Sequence, residues 1–270
     1  MMPKVSRPTP VLVLAGLDPS SGAGLSADLE AIRSAGGWAL TVATALTVQD
    51  SVNVAGVTEV AADYIRAAAD TVCQDISPQA IKVGLLAGGE SLSAVVDILT
   101  RWHGIPVVID PVLKAGGGAS LTTEALVARY RSELLPMATM VTPNRMELAR
   151  LVPELGDDDA RAGKLSNEGP AVLLTGTDPL PGELPSTSVV HRLYCQGSLV
   201  QEWQWPRLDG SYHGSGCTLA ARLALLLARQ ESLANASEKA QCYTLETLRA
   251  AYRIGHGQRL PNRFSGGSQG

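Results

Sequence analysis

The 270-residue chain has almost no phenylalanine, few cysteines and no excess of positive charge. Phe264 is the only phenylalanine, so the core must rest on Leu, Val, Ala and Ile. A net charge of −4 provides no basic surface for nucleic acid. No apolar run reaches the length that a membrane span needs. The composition therefore argues against nucleic-acid and membrane partners.

The cysteines are widely spaced and form no C-x-x-C pair, which argues against a disulfide framework or a zinc site. The first eight residues lack the apolar core and cleavage site of a signal peptide. We therefore expect a cytoplasmic protein. The four cysteines are Cys73, Cys195, Cys217 and Cys242.

A glycine-rich stretch followed by an apolar helix is the most informative local feature. Asp209 to Leu219 includes Gly214, Ser215, Gly216 and Cys217 and leads into a run without Gly or Pro that favours a buried helix. The first N–H groups of a helix lack internal partners and carry partial positive charge. The stretch predicts an anion-binding loop, with Cys217 where a helix N-terminus lowers a thiol pKa. The alternative is a helix cap with a buried cysteine.

Short strands alternate with helices almost throughout the chain. This pattern predicts an α/β fold with a mainly parallel sheet, helices on both faces and right-handed crossovers. No linker divides the sequence, so we expect a single domain over 1–264 and a disordered tail over 265–270. The segment around Asp157 is expected to be a polar loop, and the last helix to open near Asn235.

Polar residues fall where several predicted strands end, which is where open α/β sheets bind their ligands. Each of them could instead be a turn or cap residue. Two nucleotide motifs are ruled out: Gly22 of a G-x-G-x-x-A match lies six residues past its strand, and Gly163-Lys164 is followed by Leu165 rather than Ser or Thr. The strand-end residues are Asp18, Gln49, Asp50, Asp110, Thr142, Asn144 and Thr175.

Six segments together resemble the hydroxymethylpyrimidine/phosphomethylpyrimidine kinases, a branch of the ribokinase-like family, from about Val11 to Arg253. They occur in the family's order: Ala15 to Gly24 with Asp28; Thr44 to Asp50; Lys82 to Leu85; Asp110 to Val112; Thr142 to Asn144 with Glu147; and His213 to Thr218. The resemblance implies a ribokinase-like three-layer sandwich.

The resemblance also implies an ATP-dependent kinase of thiamine biosynthesis, acting with Mg²⁺ and forming a homodimer. It would phosphorylate 4-amino-5-hydroxymethyl-2-methylpyrimidine and then its monophosphate. The implied roles are a pyrimidine pocket of Gly16, Asp28, Gln49, Leu85 and Val112; ATP contacts from Asn144, Thr175 and His213; a metal site at Asp110 and Glu147; and catalysis by Gly214, Ser215, Gly216 and Cys217. Cys217 stands where related sugar kinases place an Asp base, which suggests that it deprotonates the hydroxymethyl group.

The chain departs from the family pattern in several places. Leu85 and Leu113 stand where Met is frequent, Thr175 to Asp178 replaces Lys-Gly-Gly-His, and a Gly-Pro-Val ending is lacking. These departures affect the predicted ATP contacts more than the substrate contacts. Two alternatives remain: a pyridoxal or pyridoxine kinase, and a non-catalytic pyrimidine-binding homologue.

Overall fold

Nine strands form one continuous sheet in the computed structural model, which describes residues 7–113, 122–176 and 186–265. The sheet order is β3-β2-β1-β4-β5-β6-β7-β8-β9. All neighbours from β2 across to β7 are parallel, whereas β3, β8 and β9 are each antiparallel to the adjacent strand. The strands are Thr9–Leu17 (β1), Gly37–Gln49 (β2), Val54–Glu59 (β3), Ala80–Val83 (β4), Val107–Ile109 (β5), Met140–Val141 (β6), Ala171–Thr175 (β7), Ser188–Cys195 (β8) and Ser198–Pro206 (β9).

Helices cover both faces of this sheet. They are Gly24–Arg33 (α1), Ala62–Asp75 (α2), Gly89–Arg101 (α3), Glu124–Arg129 (α4), Arg145–Leu151 (α5), Asp158–Asn167 (α6), Ser215–Ala228 (α7) and Leu233–Arg249 (α8). After α4 the chain continues through a π-helical turn at Tyr130–Leu134 and a 3₁₀ turn at Leu135–Met137. Within the described ranges, none of the helices is long and apolar enough to cross a bilayer.

Strand β1 shows how the apolar runs build two cores. Successive side chains of a strand point to opposite faces. Val11 and Val13 therefore pack with α1, α7 and α8, whereas Leu12 and Leu14 pack with α2 to α6. Because helices cover both faces, the strand is apolar without alternation. The predicted mainly parallel, three-layer α/β fold is confirmed.

Two local predictions were wrong. The segment after Asp157 is not a polar loop: the Asp157 carboxylate accepts a hydrogen bond from the Ala160 N–H at 2.8 Å and caps α6. Helix α8 begins at Leu233 rather than near Asn235, because the Ser232 side chain provides the cap. The single domain over 1–264 stays a prediction. Of the predicted tail, 266–270 lie outside the described residues.

Candidate active site

A large cavity opens at the carboxyl ends of β5, β6 and β7, beside the N-terminus of α7. Its volume is about 980 Å³, near the upper end of ordinary ligand pockets. The cavity lies at the edge of the sheet where the strand-end rule predicts a ligand site. The predicted site residues that line it are Asp110, Val112, Asn144, Glu147, Thr175, His213, Gly214, Ser215, Gly216 and Cys217.

The glycine loop turns sharply into α7 at Gly214. This residue has a φ of +82°, in the left-handed region that favours glycine. A Cβ there would lie 2.0 Å from the Gly22 carbonyl oxygen, so no side chain fits. The turn leaves the first N–H groups of α7 at the cavity wall, where an anion can approach the backbone.

Asp18 and His213 fix the approach to this loop. The Nε2 atom of His213 lies 2.8 Å from Oδ2 of Asp18. The Asp18 carboxylate also accepts hydrogen bonds from the N–H groups of Ser20 and Ala23, both at 2.8 Å. Burial raises the pKa of Asp18, but these hydrogen bonds outweigh it and the pKa is lowered. His213, expected to contact ATP, lines the cavity while bound to a buried carboxylate.

Arg263, near the C-terminus, supports the loop from behind. Its side chain is buried, and Nη2 donates to the Gly22 carbonyl oxygen at 2.5 Å. Its Nε donates to Oγ1 of Thr218 at 2.8 Å, within the first turn of α7. The guanidinium thus places a positive charge close to Gly214. Sequence reasoning missed this residue, because nothing local marks a contact that spans more than 40 residues.

Cys217 lies among buried charges on the cavity wall. The side chain is partly exposed, and its thiol lies close to the carboxylate of Asp110 and to the backbone of Gly24. Burial raises the pKa of Cys217 to about 12; Lys82 opposes the rise, and Asp28 and Asp110 add to it. The prediction that the helix N-terminus lowers this pKa was wrong, because burial beside two carboxylates outweighs the helix.

Asp28, assigned to the pyrimidine pocket, does not line the large cavity. It is 0% exposed, and its Oδ2 lies 2.8 Å from Nζ of Lys82, which is also fully buried. Burial raises the pKa of Asp28 against the opposing charge of Lys82. Its Oδ1 atom has no hydrogen-bond partner among the described residues, so one buried acceptor remains near the site.

Three of the other residues assigned to the pyrimidine, Gly16, Gln49 and Leu85, do not line the large cavity. Gln49 lines a small recess that also includes His213 and Gln258, and its Nε2 donates to Oγ1 of Thr47 at 2.7 Å. A Cβ on Gly16 would lie 3.0 Å from the Leu85 side chain, so Leu85 covers that backbone. Among the predicted pyrimidine residues, Val112 is the one that reaches the large cavity.

The acidic groups of the cavity are positioned by the ends of β5 and α5. Asp110 faces the glycine loop, since a Cβ on Gly216 would lie 3.5 Å from its Oδ2. Burial raises the pKa of Asp110 above its usual value. Lys82 and the Cys217 thiol act in the opposite direction and only reduce this rise. Glu147 forms a capping box with Asn144, so both also stabilise the start of α5. Across the described part of the chain, no group of three or more His, Cys, Asp or Glu residues is arranged to hold a metal.

Comparisons with known proteins match nearly the whole chain. A family model described as phosphomethylpyrimidine kinase matches residues 18–262. The chain is 34% identical to the hydroxymethylpyrimidine/phosphomethylpyrimidine kinase of Streptomyces coelicolor, over 94% of each protein. It is 34% identical to the thiamine biosynthesis bifunctional protein ThiED of Geobacter sulfurreducens over 94% of this chain, but spans about half (52%) of that relative. The ADP complex of Bacillus subtilis pyridoxal kinase superposes with a TM-score of 0.84 at 25% identity, covering 96% of this chain and 98% of that one.

Proposed function

The chain belongs to the phosphomethylpyrimidine kinase family, and from that premise we propose that it phosphorylates 4-amino-5-hydroxymethyl-2-methylpyrimidine and then its monophosphate, with ATP as phosphoryl donor. The product is the pyrimidine diphosphate of thiamine biosynthesis. One observation carries the proposal: the start of α7 and the buried carboxylate of Asp110 lie next to each other on the wall of a cavity large enough for a nucleotide.

The glycine loop is proposed to bind the phosphoryl group during transfer. Phosphoryl transfer needs little covalent help from the protein, so positioning and charge supply most of the acceleration. The N–H groups from Gly214 to Cys217 stabilise negative charge on the phosphoryl oxygens. The buried guanidinium of Arg263, which also pairs with the Glu30 carboxylate, holds the Gly22 carbonyl and the Thr218 hydroxyl behind the same loop.

Cys217 is proposed to act with its thiol protonated. With a pKa of about 12, the free enzyme holds almost no thiolate at neutral pH. In a loose transition state the substrate hydroxyl transfers its proton late, so the reaction does not need a thiolate that is already ionised when the substrate binds. The contribution of Cys217 is then its backbone N–H, with the thiol packing against Asp110.

Asp110 and Glu147 are proposed to hold Mg²⁺ with waters and phosphate oxygens. A carboxylate facing an anion-binding loop repels a phosphate unless a cation lies between them, and magnesium is commonly bound by one or two carboxylates. A magnesium ion there neutralises charge on the phosphates. Asn144, Thr175 and His213 lie in the same cavity and are assigned to the nucleotide side.

The pyrimidine is proposed to bind between Gly16, Leu85 and Val112, with Gln49 and Asp28 reading its polar edge. Asp28 Oδ1 is a buried acceptor without a partner in the described ranges and suits the ring amino group. The Gln49 amide can both donate and accept. Because Gln49 and His213 line one recess and His213 also lines the large cavity, the two halves of the site adjoin.

A pyridoxal kinase is the second candidate function. The superposition on Bacillus subtilis pyridoxal kinase favours it, because that match covers nearly the whole of both chains. Pyridoxal also carries a hydroxymethyl group on a heteroaromatic ring. The third alternative, a non-catalytic homologue, was based on Thr175 to Asp178, of which Thr177 and Asp178 lie outside the described residues.

We also propose a cytoplasmic homodimer. Apolar side chains stay exposed around the turn between β2 and β3, including Val48 at 65% and Ile254 at 75%. The chain near Ile254 contacts this turn through the Gly257 N–H, which donates to Ser51 Oγ at 3.1 Å. A second copy that covers this patch would remove it from water. Analytical ultracentrifugation of the wild type and Val48→Asp tests the dimer.

A coupled ADP-release assay tests the proposed function. The pyrimidine, pyridoxal and ribose are offered in turn with MgATP. The proposal predicts the highest kcat/KM for the pyrimidine. Preference for pyridoxal would favour the second candidate, and no ADP release with any of them would favour the non-catalytic homologue.

A further inference from the structure

The wall of the cavity formed by β8, β9 and α8 contains a buried polar pair that the assignments above leave unused. Apolar side chains of the same elements also line the cavity, among them Val189, Leu245 and Leu248. His191 and Gln241 lie within this wall; each is less than one-tenth exposed. A polar pair buried in an apolar wall must satisfy its hydrogen bonds or leave an atom for a ligand.

The orientation of the Gln241 amide follows from its neighbours. The indole Nε1 of Trp205 can only donate, and it lies 2.8 Å from the Gln241 side-chain oxygen. The other end of the amide, Nε2, donates to the Ser237 carbonyl oxygen at 2.9 Å. Both contacts require the oxygen to face Trp205. The same oxygen lies 2.9 Å from Nδ1 of His191.

This orientation fixes the tautomer of His191. An amide oxygen only accepts, so Nδ1 of His191 must carry the proton and donate to Gln241. Burial lowers the pKa of His191 to about 4, which keeps the ring neutral at pH 7. Nε2 is therefore an acceptor with a free lone pair. It is buried and has no partner among the described residues.

We propose that Nε2 of His191 accepts a hydrogen bond from the 6-amino group of adenine and so selects ATP over 6-oxopurine nucleotides. The assignment rests on the proposed kinase function. With the phosphates at the glycine loop, as proposed above, the β8–α8 wall at the other side of the lining is left for the base. His191 pairs with Thr175 across β7 and β8, so it lies level with the strand end that borders the cavity.

The chemistry favours adenine over guanine and hypoxanthine. Adenine presents an amino donor at position 6, whereas guanine presents an oxygen acceptor there. The 6-oxygen of guanine or hypoxanthine cannot hydrogen-bond to the lone pair on His191 Nε2. Both atoms would then be buried without a hydrogen-bond partner. Sites that hydrogen-bond a ligand group reject analogues lacking it, and we expect a difference on the order of 10-fold or more.

Titration calorimetry with four nucleotides tests the proposal on the wild-type protein. ATP, GTP, inosine triphosphate and purine riboside triphosphate, which lacks the 6-amino group, are each titrated with Mg²⁺ present. The proposal predicts that ATP binds roughly 10-fold or more tightly than the other three. If all four bind with similar Kd, this assignment is overturned and the kinase function stands. If none binds, both are overturned.

Variants separate recognition from packing. His191→Phe keeps a ring and should lower ATP affinity to that of purine riboside triphosphate, whose own affinity should not change. Gln241→Met frees the imidazole to present an N–H and should improve inosine triphosphate binding relative to ATP. Trp203→Phe is the matched control, since Trp203 pairs with His191 on β9 but does not line the cavity. Unchanged ATP selectivity in His191→Phe would contradict the proposal.

Discussion

One substitution at Cys217 distinguishes a thiol that acts as a general base from a thiol that stays protonated during catalysis. Cys217→Ala removes the thiol but keeps the backbone N–H in the anion-binding loop. The protein is proposed to phosphorylate a hydroxyl in its first reaction and a phosphate oxygen in its second. The second nucleophile needs no base, so the two reactions provide an internal control on the same variant.

The raised pKa of Cys217 sets the expected magnitude. With a pKa of about 12, only about one thiol in 10⁵ is ionised at pH 7. A general base typically contributes about 10²- to 10⁴-fold to a rate. If the thiol instead remains protonated and packs against Asp110, its loss costs far less. We therefore expect Cys217→Ala to slow both reactions by similar factors, each below about 10-fold.

Single-turnover kinetics with each substrate measures the two factors separately. Cys195→Ala is the matched control, because Cys195 is a partly buried thiol outside the cavity. A loss of about 100-fold or more confined to the first reaction would refute this reasoning and restore Cys217 as the base. Slow alkylation of wild-type Cys217 by iodoacetamide at pH 7 is expected on the same grounds.

Three further perturbations give distinct results. Asp110→Asn should lower kcat and move the Mg²⁺ titration to higher concentration; a titration that superimposes on the wild type would remove Asp110 from the metal site. Gln49→Ala should raise KM for the pyrimidine by roughly 5- to 150-fold, which corresponds to a loss of about 1–3 kcal/mol, with KM for ATP unchanged; unaltered pyrimidine kinetics would contradict its role. His191 has a pKa lowered by burial to about 4, against about 6.5 in the unfolded chain, so its contribution to stability is complete above pH 6.5 and is lost as pH falls toward 4. Urea unfolding from pH 7 to 4 should show a decline about 3 kcal/mol smaller in His191→Phe, and equal slopes would show that His191 titrates normally.

Strand ends and the glycine stretch were predictable because their signals are local. The apolar run from Val107 to Ile109 gives a buried strand, and its end places Asp110 at the edge where Thr175 also lies. The left-handed turn at Gly214 follows from glycine before an apolar helix. These features depend on a few neighbouring residues, and parallel strands bring their ends together.

Pairings between distant residues were not predictable in the same way. In the sequence, Asp28 is a polar residue within a helical pattern. Only folding brings the Nζ atom of Lys82 to 2.8 Å from its Oδ2 atom. The same holds for His191 with Gln241 and for Arg263 behind the glycine loop. The predicted lowering of the Cys217 pKa was wrong for a related reason. The sequence shows the helix that lowers a thiol pKa, but it does not show the burial that raises it.

The central claim is that this chain phosphorylates the hydroxymethylpyrimidine twice. Phosphorus NMR of a reaction with the pyrimidine and excess MgATP tests it most directly, because it identifies each product by its phosphorus signals. The account predicts a monophosphate ester resonance that rises first and then gives way to the paired resonances of a diphosphate. Persistence of the pyrimidine without any new phosphorus signal, while pyridoxal is converted to its phosphate, would contradict it.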